Sequence, residues 1–196
     1  MKKAFISLLV ILLALPAFSQ EHLKFKGITI DGKLSTFVSA LKAKGMTTAP
    51  SSTTNNPKLR GSFAGIEDCY IGFGATDDET VCRVVIITPY RSSWRSVKAD
   101  YDLIKETVIS KYDGEVKEYE YFEEPYQNGD GFEIQALYLD KAVYQTYILM
   151  EEGGIKIEIL GSKSSYGKAH ITILYEDSIN TERFINERRQ QLSDDV

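Results

Sequence analysis

An α+β fold, with a mainly antiparallel sheet and about three helices packed on it, is predicted by three features of this chain. Apolar residues recur at steps of three and four over residues 94–108, the period of a helix with one buried face. From residue 115 to 175 the period becomes two, the mark of strands with one face turned inward. Short polar connections separate those runs, and short connections join antiparallel neighbours.

Taken in order, LKFKGITI alternates Phe25, Ile28 and Ile30 as a short strand, and Asp31-Gly32 ends it. Leu34, Phe37, Val38 and Leu41 then follow helical spacing, with Gly45 placed just beyond the helix end, where a left-handed residue is favoured. Residues 47–58 are polar, aperiodic and carry Pro50 and Pro57, which predicts a connector loop. Two strands over 62–73 and 80–88 form a hairpin, which Pro89 closes. Ser92 or Ser93 can cap the next helix, whose inner stripe is Trp94, Val97, Tyr101, Ile104 and Val108, with Gly114 as its stop. The meander that follows reads VKEYEYF, GFEIQALYL, AVYQTYILM, IKIEIL and AHITILY. A last helix is predicted from Asn180, with Ile179 and Phe184 placed as a hydrophobic staple and Phe184, Ile185 and Leu192 on its inner edge. One α+β domain over 20–196 is expected. A helix followed by antiparallel strands occurs twice, so two αβ halves, 20–90 and 91–196, are the alternative division.

The first residues predict export. Lys2 and Lys3 precede the apolar run of residues 4–15, and Ala17-Phe18-Ser19 offers small residues at the −3 and −1 positions of a cleavage site. That is the layout of a secretory signal peptide over 1–19, and the run falls short of the ~20 residues that span a bilayer. With no Cys near the cleavage point, neither a membrane span nor a lipid anchor is expected, and the placement is periplasmic or extracellular. Cleavage removes Lys2 and Lys3, so 23 basic residues fall to 21 against 28 acidic ones and the net charge moves from −5 to −7. An acidic chain without a basic run does not predict nucleic-acid binding.

Export gives the two cysteines meaning, because thiols pair in oxidising compartments. If the turn of the 62–88 hairpin is centred on Ala75-Thr76, Cys69 and Cys82 stand opposite each other and a disulfide forms. If it is centred on Asp77-Asp78, Cys69 faces Ile86 and two buried free thiols result.

The segments FKGITIDGKLSTFVSALKAKGM, GSFAGIEDCYIGFG, SSWRSVKADYDLIKETVISKYDG, YQNGDGFEIQALYLDKAVYQTY and ITILYEDS together resemble a family of uncharacterised exported proteins of Bacteroidetes bacteria. The shared motifs are glycine stops, the Ser-Ser-Trp helix start and the Gly-Asp-Gly turn. The resemblance implies export and an α+β fold, and it implies no activity, cofactor or site residue.

Catalytic patterns are sparse. His22 and His170 are the two histidines, and the sequence holds neither HExxH nor GxSxG. GSKSSYGKA departs from a phosphate loop in its spacing and in Ala169, and NGDG lacks the acidic ends of a calcium loop. Glu115, Glu118, Glu120, Glu123 and Glu124 crowd one stretch, and a solvated strand edge accounts for them. A free Gln20 terminus with His22 offers four nitrogens for copper, although no metal or other cofactor is expected. The remaining signal is aromatic density: Tyr119 and Tyr121 share a strand face and Tyr126 sits in the adjoining turn. Tyrosine joins a flat apolar ring to a polar tip, which suits a protein surface or a sugar ring. The expectation is therefore a non-enzymatic exported binding module for a protein or glycan. A secreted hydrolase whose Glu/Asp pair meets only in three dimensions is the alternative.

Overall fold

The computed structural model describes residues 21–194. It contains a small hairpin, β1 (Lys24–Phe25) and β2 (Ile28–Thr29), and helix α1 (Leu34–Ala43). Strands β3 (Thr47–Thr48), β4 (Leu59–Phe63), β5 (Ile66–Ala75) and β6 (Val81–Ile87) follow. The second half runs α2 (Trp94–Ile109), β7 (Glu115–Phe122), α3 (Glu133–Tyr138), β8 (Ala142–Leu149), β9 (Gly153–Gly161), β10 (Ala169–Asp177) and α4 (Ser178–Asp194). The predicted α+β class with antiparallel sheets is what forms. One eight-stranded sheet has the order β3-β4-β5-β6-β10-β9-β8-β7. Each half is thus a helix followed by a four-strand meander, and the two meanders join through their last strands.

Strand alternation sorts side chains onto two faces. One inner row crosses the sheet as Thr146, Ile157, Ile173, Ile86 and Ile71, each opposite the next. Over this face lie α1, whose Phe37 meets Phe73 edge to face, and α2. The α2 stripe is as predicted: Val97, Tyr101, Ile104 and Val108 are buried, and Ser93 accepts a hydrogen bond from the Ser96 amide at 3.2 Å as N-cap. Tyr101 reaches the sheet, its hydroxyl 2.7 Å from Thr146 Oγ1. Gly45, φ +93°, ends the α1 turn as expected.

Several expectations are corrected. LKFKGITI folds as a hairpin, because Lys26 (φ 50°) and Gly27 (φ 75°) both turn left-handed, as a two-residue type I′ turn requires. The single strand expected over 62–73 breaks the same way at Ala64 (φ 48°) and Gly65 (φ 80°). The polar segment after Thr48 is tied back by Ala49 N–H to Lys58 C=O. GFEIQALYL yields the helix α3: Glu133, Ala136 and Leu137 are buried at i, i+3, i+4 spacing, and Gly161 lies so close that a Cβ there would stand 2.6 Å from the Tyr138 nitrogen. Helix α4 starts at Ser178, before Asn180, because Asp177 is the cap, accepting the Asn180 amide at 2.9 Å. The proposed staple is therefore out of position. Phe184 instead stacks on the Arg83 guanidinium at 4.9 Å, and Leu192 is exposed rather than inward.

The disulfide does not form; Cys69 and Cys82 are free and fully buried. Tyr70 pairs with Ile87, so Cys69 falls level with Thr88, six residues from Cys82 and on the order of 20 Å along the strand. The cause is a turn centred further along than Ala75-Thr76, with a bulge between Gly74 and Ala75. Burial pushes both thiols up to about 11, so they are weak nucleophiles near neutral pH.

Among the described residues no helix is long and apolar enough to cross a membrane. The predicted signal peptide, residues 1–19, lies outside the described residues.

Candidate functional site

The side of the sheet away from α1, α2 and α3 carries the other half of the alternation. An outer row runs Tyr119, Gln145, Glu158, Thr172, Ile87, Tyr70 and Arg60, each opposite the next. Among the described residues only α4 crosses this side, at the end where Arg83 and Glu176 pair at 2.7 Å. The rest of the face lies open, and Tyr70, Tyr119, Tyr121, Leu149 and Leu160 stand exposed on it.

A groove of about 440 Å³ runs along β7 and β8, lined by Lys117, Tyr119, Tyr121, Val143, Gln145, Tyr147 and Leu149. Tyr119 and Tyr121 are each 48% exposed, against a row of β8 residues that register brings alongside them. Tyr119 meets Tyr147 edge to face, ring centroids 6.0 Å apart, a geometry that suits the aromatic quadrupole. The Tyr147 hydroxyl donates to Gln145 Oε1 at 3.0 Å, and Gln145 Nε2 donates to Glu158 Oε2 at 3.1 Å. These bonds link the three side chains across β8 and β9.

The charges on this face are spent on each other. Lys117 pairs with Glu115 at 3.2 Å and Lys156 with Glu158 at 2.6 Å. The surface therefore combines apolar and aromatic area with little uncompensated charge.

Of the sequence-predicted site residues, Tyr119 and Tyr121 come together on the groove. Tyr126 does not: it packs partly buried against the core, with its hydroxyl accepting from Gln135 Nε2 at 3.4 Å. Phe122 and Tyr144 also turn inward, around Trp94. Tyr147, Gln145 and Val143 were not singled out in the sequence. Strand parity in AVYQTYILM was the signal that could have found them, once β8 was known to lie beside β7.

The acidic stretch is taken up by lysines. Lys105 reaches from α2 to Glu118 at 2.9 Å and Glu120 at 2.7 Å, and Lys141 holds Glu123 at 2.7 Å. Burial works against the Lys105 charge, but the hydrogen bonds to Glu120 and Glu118 outweigh it and raise its proton affinity. Asp78, which accepts from Thr76 and Arg183, is held below the usual carboxylate range, the opposite of what a general acid needs. Asp31 is also lowered: burial opposes the shift, and hydrogen bonds from Asn180 and the Gly32 amide overcome it.

His22 is part of the framework. Its Nδ1 lies 3.0 Å from Asp177 Oδ2, and that oxygen also accepts the Leu23 amide at 2.9 Å. A copper chelate closed through the His22 amide would use this same Nδ1, which Asp177 already holds; Gln20 lies outside the described residues. Among the described residues no group of three or more His, Cys, Asp or Glu side chains gathers to hold a metal ion. Compared with known families, curated proteins and solved structures, the chain matches none, so its own residues carry the functional reading.

Proposed function

We propose that this chain is an exported, non-enzymatic interaction module whose outer sheet face holds another protein. The observation that carries the reading is the open face itself, on which Tyr119 and Tyr121 stand half-exposed beside Tyr147 and Val143. Exposed aromatic area such as the Tyr119–Tyr121 groove marks interaction sites, and tyrosine is over-represented among the residues that dominate interface energies.

Size and charge favour a protein over a glycan. The six strands from β5 to β7 in sheet order, seven to ten residues long and ~4.8 Å apart, give a face on the order of 800 Å², comparable with the ~800 Å² that each partner contributes to a standard interface. A small ligand would instead be enclosed by a concave pocket. Because the face's lysines and glutamates pair with one another, the partner's contact surface is expected to be neutral and apolar rather than strongly charged. The signal layout of residues 1–19 and the resemblance to exported Bacteroidetes proteins support placement outside the cytoplasm.

Photocrosslinking in the native cell tests this. With benzoylphenylalanine at position 121, one discrete protein adduct is expected, and adding Tyr119→Ala and Tyr147→Ala should remove it. The same probe at Leu103, exposed on α2 on the opposite side, should give no such adduct. Equal adducts from both positions, or none from position 121, would overturn the reading.

A further inference from the structure

The two ends of the sheet are built differently. At one end β3 is two residues long and runs into Ala49-Pro50, so it offers almost no free strand. At the other end β7 pairs with β8 without interruption from Glu115 opposite Leu149 to Phe122 opposite Ala142. No other strand among the described residues lies on its far side. Residues 115–121 are all exposed.

Natural edges are blunted by brevity, proline, a bulge, a cover or charge. β7 is eight residues long, holds no proline and shows no break in register. Charge is balanced on the outer parity, where Lys117 pairs with Glu115, and stays acidic on the other, where Glu118 and Glu120 share Lys105 while the nearby Lys98 is held by Asp102. The backbone edge of β7 is thus long and unbroken and repels only an acidic or self-like neighbour, immediately beside the Tyr119–Tyr121 groove.

We propose that β7 takes up an extended segment of the partner protein as a ninth strand of the sheet. This rests on the reading that the outer face holds a protein, and it names how that protein enters. Main-chain hydrogen bonds along a sheet edge supply affinity, and alternate side chains supply selectivity. On the outer side the added strand lies next to Tyr119 and Tyr121, so its residues of that parity are apolar or aromatic. On the other side it lies next to Glu118 and Glu120, so those residues are basic or neutral and not acidic.

A second copy of this chain does not meet that requirement. Antiparallel pairing of β7 with itself, faces kept together, allows four registers that overlap by five residues or more. They set Lys117 against Lys117, Glu118 against Glu118, Glu118 against Glu120, or Glu120 against Glu120. Like charges directly opposite one another destabilise a strand pair. The edge is therefore built for a different sequence.

The probe is a ten-residue peptide alternating lysine with valine and tyrosine, titrated into the exported chain and followed by NMR and by amide hydrogen exchange. Binding should slow exchange in residues 115–122 and shift the Tyr119 and Tyr121 ring signals. Two versions N-methylated on alternate residues, one on each parity, carry equal charge. One should bind as the parent does and the other at least tenfold more weakly, because only one parity faces β7. Glutamate in place of lysine should also weaken binding at least tenfold, and a scramble that breaks the alternation should do the same. No binding by the parent, or equal binding by both methylated forms with β7 exchange unchanged, overturns strand addition. A peptide that shifts the tyrosine rings without parity dependence would sink this inference and leave the face reading intact. Failure of the position-121 crosslink would sink both.

Discussion

Asp177→Ala is expected to destabilise the fold by about 2–4 kcal/mol, the cost of losing a helix cap and leaving buried N–H groups without an acceptor. The side chain of Asp177 is fully buried at the junction of β10 and α4. One oxygen caps α4 through the Asn180 amide, and the other accepts the Leu23 amide and His22 Nδ1. Asn180 in turn donates to Ile30 C=O and Asp31. A single carboxylate therefore ties the N-terminal segment, the small hairpin region and the last helix together. Alanine removes the cap and strands a buried N–H, each of which costs about 1–2 kcal/mol alone. Urea unfolding followed by circular dichroism measures it, with the midpoint falling and the slope unchanged. Asp177→Asn keeps one acceptor for the helix amide and should lose clearly less. A midpoint within error of the wild type would show that these bonds do not hold the fold.

Tyr101→Ala is expected to cost about 3–5 kcal/mol, by the mechanism of a large core truncation. Tyr101 is 0% exposed, between α2 and the sheet, where its ring meets Tyr144 edge to face and its hydroxyl meets Thr146 on the inner row. Removing the ring leaves a cavity under α2 and orphans the Thr146 hydroxyl. Tyr101→Phe keeps the ring and should cost only about 1–3 kcal/mol, the penalty of one unsatisfied buried group. The difference between the two variants in the same unfolding assay separates packing from hydrogen bonding. Equal losses would contradict the assignment of the larger share to packing.

How far the fold could be read from sequence depended on how local its causes were. Helix α2 was legible because its cap and its five-residue stripe are contiguous, and Ile155, Ile157 and Ile159 announce β9 by parity alone. The two hairpin turns escaped because Lys26-Gly27 and Ala64-Gly65 set a non-glycine residue in the left-handed region without the usual Asn or Asp. Helix α3 was hidden by an accident of spacing, since Phe132, Ile134 and Ala136 alternate while Ala136 and Leu137 are what the core buries. The joining of β6 to β10 is a long-range pairing that no short window contains. The disulfide failed because the hairpin turn lies further along than Ala75-Thr76, which sets Cys69 level with Thr88 rather than Cys82.

The candidate site divides similarly. Tyr119 and Tyr121 share a face by strand parity, so sequence alone places them together. Their neighbours Tyr147 and Gln145 arrive through pairing with a strand some twenty-five residues away, and Tyr126 was lost because the turn folds back onto the core.

The most direct test is hydroxyl-radical footprinting of Tyr119 and Tyr121, compared between the purified chain and the chain in the intact native cell. In the purified chain both rings should oxidise readily while Tyr101 and Tyr175 stay silent. In the cell, oxidation of Tyr119 and Tyr121 should fall at least several-fold while exposed Tyr166 is unchanged. Equal oxidation of the two rings in both settings would show that nothing occupies the face and would contradict the proposed function.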